Sequence, residues 1–186
     1  MDMKRILIVI IFFTSLGSFA QDKTKNILSV SYFGEMITHP GLRIGLDVPV
    51  GKWGKKKDNL IFVSPSFGFF NHKRYQTNFF LLPELAFNKQ GKKGSNFYAG
   101  AGIGYQLSKV PNTYIVGSDD LVHEISASHW YFLANVFVAM EKPIPLKSEG
   151  NLKVFLKPQI VFAYPHFPTR LKYFILEFGI KHDVNF

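Results

Sequence analysis

Phe174-Ile175-Leu176-Glu177-Phe178-Gly179-Ile180-Lys181-His182-Asp183-Val184-Asn185-Phe186 is the stretch that decides the fold. Its even positions hold Phe174, Leu176, Phe178, Ile180, His182, Val184 and Phe186, and its odd positions hold Ile175, Glu177, Gly179, Lys181, Asp183 and Asn185. A period of two belongs to a β-strand, whose successive side chains leave opposite faces. One face stays apolar for more than ten residues while the other is largely polar. Strands of soluble proteins average about 5–6 residues, whereas a tilted strand needs about 9–11 to cross a bilayer. Length therefore favours a strand facing lipid.

The same alternation recurs upstream. Leu28, Val30 and Tyr32 alternate with Ser29, Ser31 and Phe33, and Leu42, Ile44, Leu46, Val48 and Val50 with Arg43, Gly45 and Asp47. Val63, Pro65, Phe67 and Phe69 form a third set, and Phe79, Leu81, Pro83, Leu85 and Phe87 a fourth. Ala99, Ala101, Ile103 and Tyr105 alternate with Gly100, Gly102 and Gly104. Trp130 to Met140 and Leu152 to Phe162 complete a count of eight strands with the last one. Phe62-Val63-x-Pro65-x-Phe67-x-Phe69, Phe80-Leu81-x-Pro83-x-Leu85-x-Phe87 and Phe155-Leu156-x-Pro158-x-Ile160-x-Phe162 share one frame. Each proline lacks a ladder donor, so a bulge or distortion is expected at each, with the ring on the lipid-facing phase.

The other end of the chain indicates the compartment. Lys4 and Arg5 precede the apolar run Ile6–Phe13, and Ser18-Phe19-Ala20 offers a small-x-small cleavage site. That is the pattern of a secretory signal peptide over 1–20, with a mature chain over 21–186. Eight apolar residues in a helix cover only about 12 Å, too short for a hydrocarbon core of about 30 Å. No later segment reads as a membrane helix. An exported chain without helical spans can still cross a membrane as a closed β-barrel, the other architecture that satisfies its backbone in lipid.

Composition narrows the chemistry. The 186 residues are 47% hydrophobic, 16% aromatic and 19% charged, with 20 Phe and no Cys. Disorder and coiled coil are excluded on composition, and disulfides, thiol catalysis and cysteine-ligated zinc on the missing cysteine. Removing the leader takes two bases and one acid from the formal charge of +9, leaving +8. No nucleic-acid partner is expected for an exported membrane barrel, and no cofactor is read from the sequence.

Eight strands return the C-terminus to the side of the N-terminus, here expected to be periplasmic. Inner turns then fall near 51–58, 89–95 and 143–150, and outer loops near 37–40, 71–74, 108–128 and 165–170, the longest being 108–128. Tyr32, Phe69, Tyr105, Trp130 and Tyr164 stand near the expected outer ends, and Trp53, Phe87, Phe97 and Phe186 near the inner ends. Two such rows match the aromatic girdles of membrane barrels.

The terminal Phe186, preceded by Phe178, Ile180 and Val184 on one face, resembles the C-terminal signal read by the barrel-assembly machinery. Leader, eight alternating strands and terminal Phe together resemble the small outer-membrane barrels of Gram-negative envelopes, such as the transmembrane domain of outer-membrane protein A and the porin-T-like barrels. The resemblance covers nearly the whole mature chain as a pattern. It implies an all-β, eight-stranded antiparallel barrel in the outer membrane, surrounded by its lipids, and it implies no activity.

Such a barrel is just wide enough for its own side chains. The inward phase carries Glu35, Arg43, Asp47, Glu84, Lys153, Lys157, Glu177 and Lys181, expected to pair into a plug. Gly100, Gly102 and Gly104 are expected to make room for Tyr98, Tyr131 or Phe80. Lysines gather in the inner turns, among them Lys52, Lys55, Lys89 and Lys142, as a rim attractive to anionic headgroups or an acidic partner. His39, His72, His123, His129 and His166 lie toward the outer end with Asp119, Asp120, Glu124, Ser126 and Ser128. They invite a metal site or a Ser-His-acid lipid hydrolase, of lipid A deacylase or phospholipase type, but no metal spacing or deacylase signature is present. The expected role is non-enzymatic: a structural or accessory subunit of a larger outer-membrane protein assembly. A soluble ligand-binding barrel is the remaining alternative, and the inward charges argue against its cavity.

Overall fold

The structure is a computed structural model. It describes residues 25–35, 40–55, 59–72, 76–91, 94–116, 122–145, 152–165 and 171–184. The leader and Phe186 lie outside them.

Ten strand segments build eight staves: β1 (Asn26–Glu35), β2 (Gly41–Lys52), β3 (Leu60–Ser64), β4 (Ser66–His72), β5 (Gln76–Leu81), β6 (Glu84–Gln90), β7 (Asn96–Val116), β8 (Val122–Pro143), β9 (Leu152–Tyr164) and β10 (Leu171–Val184). β3 and β4 form one stave, and β5 and β6 another. All pairings are antiparallel, and β1 pairs with both β2 and β10, so the sheet closes on itself. The protein is a closed eight-stranded antiparallel barrel, with no α-helix among the described residues.

The register fixes the tilt. A circuit from Glu35 passes Ile175, Gln159, Phe137, Gly100, Ala86 and Phe62 to Pro49. Extending the β1–β2 register by two residues past Ile27–Asp47 brings it back level with Lys25, ten residues from its start. Such a stagger tilts the strands by about 35–45°. About ten residues at ~3.3 Å then climb about 25 Å, the height of the apolar band of a membrane barrel.

Both broken staves break at proline. Pro65 and Pro83 stand opposite each other, since Ser64 pairs with Glu84 and Phe67 with Leu81 in one register. Their carbonyls still accept, from the Leu46 and Ile103 N–H groups at 3.0 and 3.2 Å. The missing donors therefore fall on the flanking strands, and the facing edge between the prolines is a non-hydrogen-bonded pair that loses nothing. Placing the prolines together confines the damage to one band of the wall. At Pro158 β9 itself continues and stays paired with β10, while the distortion falls on the other side, where its pairing with β8 is interrupted between Phe137–Gln159 and Met140–Leu156 without a shift of register. A further irregularity falls at Pro49/Gly51 in β2.

The expected outer loop 108–128 is corrected to a ribbon. β7 and β8 stay paired as far as Val116 and Val122, with one register shift between Val110 and Thr113 that absorbs Pro111. Among the described residues, β8 pairs with β9 from Phe132 onward, and β7 pairs with β5 up to Lys109. The hairpin therefore continues beyond the barrel as two strands. Tyr114, Ile115, Val116 and Val122 supply the β-propensity that sustains it.

Candidate functional site: a charged lumen inside an apolar wall

Alternation sorts the side chains by chemistry, and the sorting is the inverse of a water-soluble barrel's. Outward stand Val30, Leu42, Ile44, Phe67, Leu81, Ile103, Val136, Val138, Ile160 and Ile180, all exposed; Ile103 is 61% and Val138 58% open. Inward stand Arg43, Asp47, Glu84, Lys157, Glu177 and Lys181, all buried. Burial of six ionisable groups is tolerated because each has an opposite charge within reach.

The centre of the lumen is a quartet. The Arg43 guanidinium donates to Glu84 at 2.6 Å and to Glu177 at 2.9 Å. The Lys157 ammonium donates to both Glu84 oxygens at 2.6 and 2.9 Å and lies 3.4 Å from Glu177. Two cations and two anions balance. The remaining carboxylate valences are filled by the Ser31 hydroxyl at 2.7 Å and the Gln159 amide at 2.9 Å on Glu177, and by the Asn135 amide on Glu84. Lys157 also lies 4.1 Å from the Phe137 ring centroid, a cation–π contact.

A second set lies toward the end bearing the termini. Lys181 donates to Asp47 at 2.7 Å, lies 3.4 Å from Glu141 and sits 4.4 Å from the Tyr98 ring centroid. Lys153 reaches Glu141 at 3.6 Å and Asp183 at 3.4 Å. Between these sets lies a cavity of about 30 Å³, lined among others by Asp47, Glu84, Lys157 and Lys181. It has room for about one water. Toward the other end, Phe33, Phe70, Phe80, Leu82, Leu133 and Ile175 pack into an apolar cluster. Beyond it Gln106 and Ser108 both donate to Asn78, Gln106 at 2.9 Å. The lumen is filled by its own side chains.

Of the expected network, Arg43, Asp47, Glu84, Lys153, Lys157, Glu177 and Lys181 are brought together inside. The side chain of Glu35 lies outside the described set. Glu141, fully enclosed, is a member that the sequence reading left out, as are Asn135, Gln159 and Asp183. All four stood on the inward phase, which was the available signal. The glycine expectation is corrected. A Cβ at Gly102 would meet Asn135 Oδ1 at 2.6 Å and Glu84 Cγ at 2.7 Å, and one at Gly100 would meet the Phe137 ring at 2.6 Å. The ring of Phe80 lies instead over Gly68. Direct cross-strand partners, Gly100 with Phe137 and Gly102 with Asn135, fill the space.

On the wall, Tyr105 pairs with Phe132, and Phe132 with Tyr164, as one outward row; the Tyr105 and Phe132 rings meet edge-on at 5.8 Å. Phe69 and Trp130 are exposed, and Tyr32 is half-buried, stacked on Phe178 at 5.1 Å. Toward the other end Phe97 is exposed, and Trp53 meets Phe87 edge-on at 6.3 Å while its indole N–H donates to the Asn88 carbonyl at 2.6 Å. Phe178 and Ile180 face outward, Val184 is half-buried beside the start of β1, and Phe186 lies outside the described residues.

The residues behind the metal and hydrolase readings are mostly beyond description: His39, Asp119, Asp120 and His166 altogether, and His123, Glu124 and Ser126 as side chains. His129 and Ser128 are exposed neighbours on β8. Among the described residues no three His, Asp or Glu side chains converge on a metal position.

Among solved structures, the N-terminal β-barrel domain of Pseudomonas aeruginosa OprF resembles this chain with a TM-score of 0.47 and 15% identity, covering 88% of this chain and 100% of that one. No protein-family model and no curated protein matches the sequence.

Proposed function

We propose that the protein is a non-enzymatic outer-membrane β-barrel, with both termini on the periplasmic side, that serves as a structural or accessory subunit of a larger outer-membrane assembly. The observation carrying this reading is the inverted sorting of side chains: a paired ionic lumen within a wall of exposed Val, Ile, Leu and Phe. Water outside such a wall would leave a contiguous apolar surface around the whole cylinder, far beyond the few hundred Å² that soluble monomers expose. Hydrocarbon outside removes that penalty, and closure leaves no strand edge unpaired within it.

The accessory role is supported by a lumen that the described side chains fill and by surfaces suited to contact. Among the described residues, the β7–β8 ribbon extends past its last pairings with β5 and β9 and offers a projecting surface to a partner. Purification in detergent tests both levels. Heat-modifiable migration on a denaturing gel and co-purification of one stoichiometric membrane protein are expected. A chain soluble without detergent would refute the membrane reading, and a barrel that purifies alone with unchanged envelope function would refute the accessory role.

A further inference from the structure

Among the described residues, the charges on the outside are sorted by sign. Every described carboxylate side chain, Asp47, Glu84, Glu141, Glu177 and Asp183, stands on the inward phase. Every described Lys, Arg, Asp or Glu that is exposed is a lysine. Five of them, Lys25, Lys52, Lys55, Lys89 and Lys142, occupy the end where β1 begins and β10 stops. Only Lys109 and Lys172 stand toward the other end.

We propose that the five lysines form a collar that holds the phosphates of anionic phospholipid in the adjacent leaflet. This rests on the transmembrane reading and adds a ligand class to it. Two features point to lipid. First, the lysines border the apolar wall. Lys89 is the cross-strand partner of Phe97, which itself pairs with Met140, and Lys142 follows two residues later on the same outward phase. Lys52 directly precedes Trp53, whose ring meets Phe87. Lysine stems laid along such a rim carry their ammonium groups to headgroup level.

Second, they are distributed around the cylinder: before β1, at the end of β2 and in the turn after it, and near the ends of β6 and β8. A ring suits many small mobile anions, whereas a docked acidic protein would need the charge in one sector.

The test uses the whole mature chain with Trp130→Phe, leaving Trp53 at the collar as sole fluorophore. The barrel is first folded into phosphatidylcholine vesicles and its heat-modifiable migration confirmed. Failure at that stage would overturn the transmembrane reading itself. Brominated phosphatidylglycerol and brominated phosphatidylcholine are then compared as quenchers of Trp53 in the inserted barrel. The expected result is about a threefold preference for the anionic lipid at low salt, weakened by added salt. The preference should vanish in K25Q/K52Q/K55Q/K89Q/K142Q and persist in K109Q/K172Q. Equal quenching by the two lipids in an inserted barrel would overturn the collar and leave an acidic protein as its occupant. So would a preference that survives the five substitutions. Loss of the preference in millimolar inorganic phosphate would replace the lipid with a free-anion site and overturn the proposal as stated.

Discussion

Glu84→Gln is the sharpest probe of the lumen. Glu84 receives Arg43 at 2.6 Å and Lys157 at 2.6 and 2.9 Å, so one carboxylate holds two buried cations. The amide that replaces it is nearly the same size, which keeps packing constant and removes only charge and acceptor capacity. The quartet then holds two cations against Glu177 alone. Breaking a buried pair from one side costs about 3–5 kcal/mol, because the orphaned charge stays desolvated. Urea unfolding from vesicles, followed by Trp53 and Trp130 fluorescence, reads the loss directly. With a slope of about 2 kcal/mol per molar, a loss of about 4 kcal/mol lowers the midpoint by about 2 M. The companion Lys157→Gln removes one cation and should cost a similar amount. The double variant restores neutrality around Arg43 and Glu177, which remain joined at 2.9 Å. It should therefore cost much less than the two singles together, with a coupling of about 2 kcal/mol or more. Additive losses would refute the reasoning, since they would mean that each charge is separately solvated and the lumen is wet rather than paired.

Other perturbations address the wall and its breaks. Gly102→Val drives a branched side chain against Asn135 and Glu84, where even a Cβ would stand at 2.6–2.7 Å, and should destabilise the folded barrel by about 1–3 kcal/mol in the same unfolding assay. Val138→Arg puts a cation on an exposed position of the wall, 58% open, and should cost about 2–4 kcal/mol with correspondingly poorer insertion into vesicles. Pro83→Val returns the N–H that the Ile103 carbonyl can accept and should raise the urea midpoint by the equivalent of about 0.5–1.5 kcal/mol.

Most of the architecture was legible because a sheet with hydrocarbon on one side and a narrow lumen on the other imposes an unbroken period of two. Leu42-Arg43-Ile44-Gly45-Leu46-Asp47 reads as wall, lumen, wall, lumen with no tertiary knowledge, and the structure buries Arg43, Gly45 and Asp47 while Leu42 and Ile44 are exposed and Leu46 is half-buried. Boundaries were less legible. Residues 108–116 and 122–128 hold polar and turn-forming types among their β-branched ones, so they read as loop. They pair because the ribbon's two strands satisfy each other without a core. Proline was legible as a defect and illegible as a pair: that Pro65 faces Pro83 follows from the register between two distant strands.

The sequence by itself determined which faces are greasy, how many staves there are, and that the inward phase carries compensating charges, because each of these is a local property of alternate residues on one strand. The tertiary structure alone decided which charge meets which. Arg43, Glu84, Lys157 and Glu177 lie on four different staves, and the ten-residue stagger of the closed cylinder brings their side chains to one level. Closure is a global condition on all the registers at once. No single strand contains it, so the ionic plug could be foreseen as a composition but its partners could be read only from the completed ring.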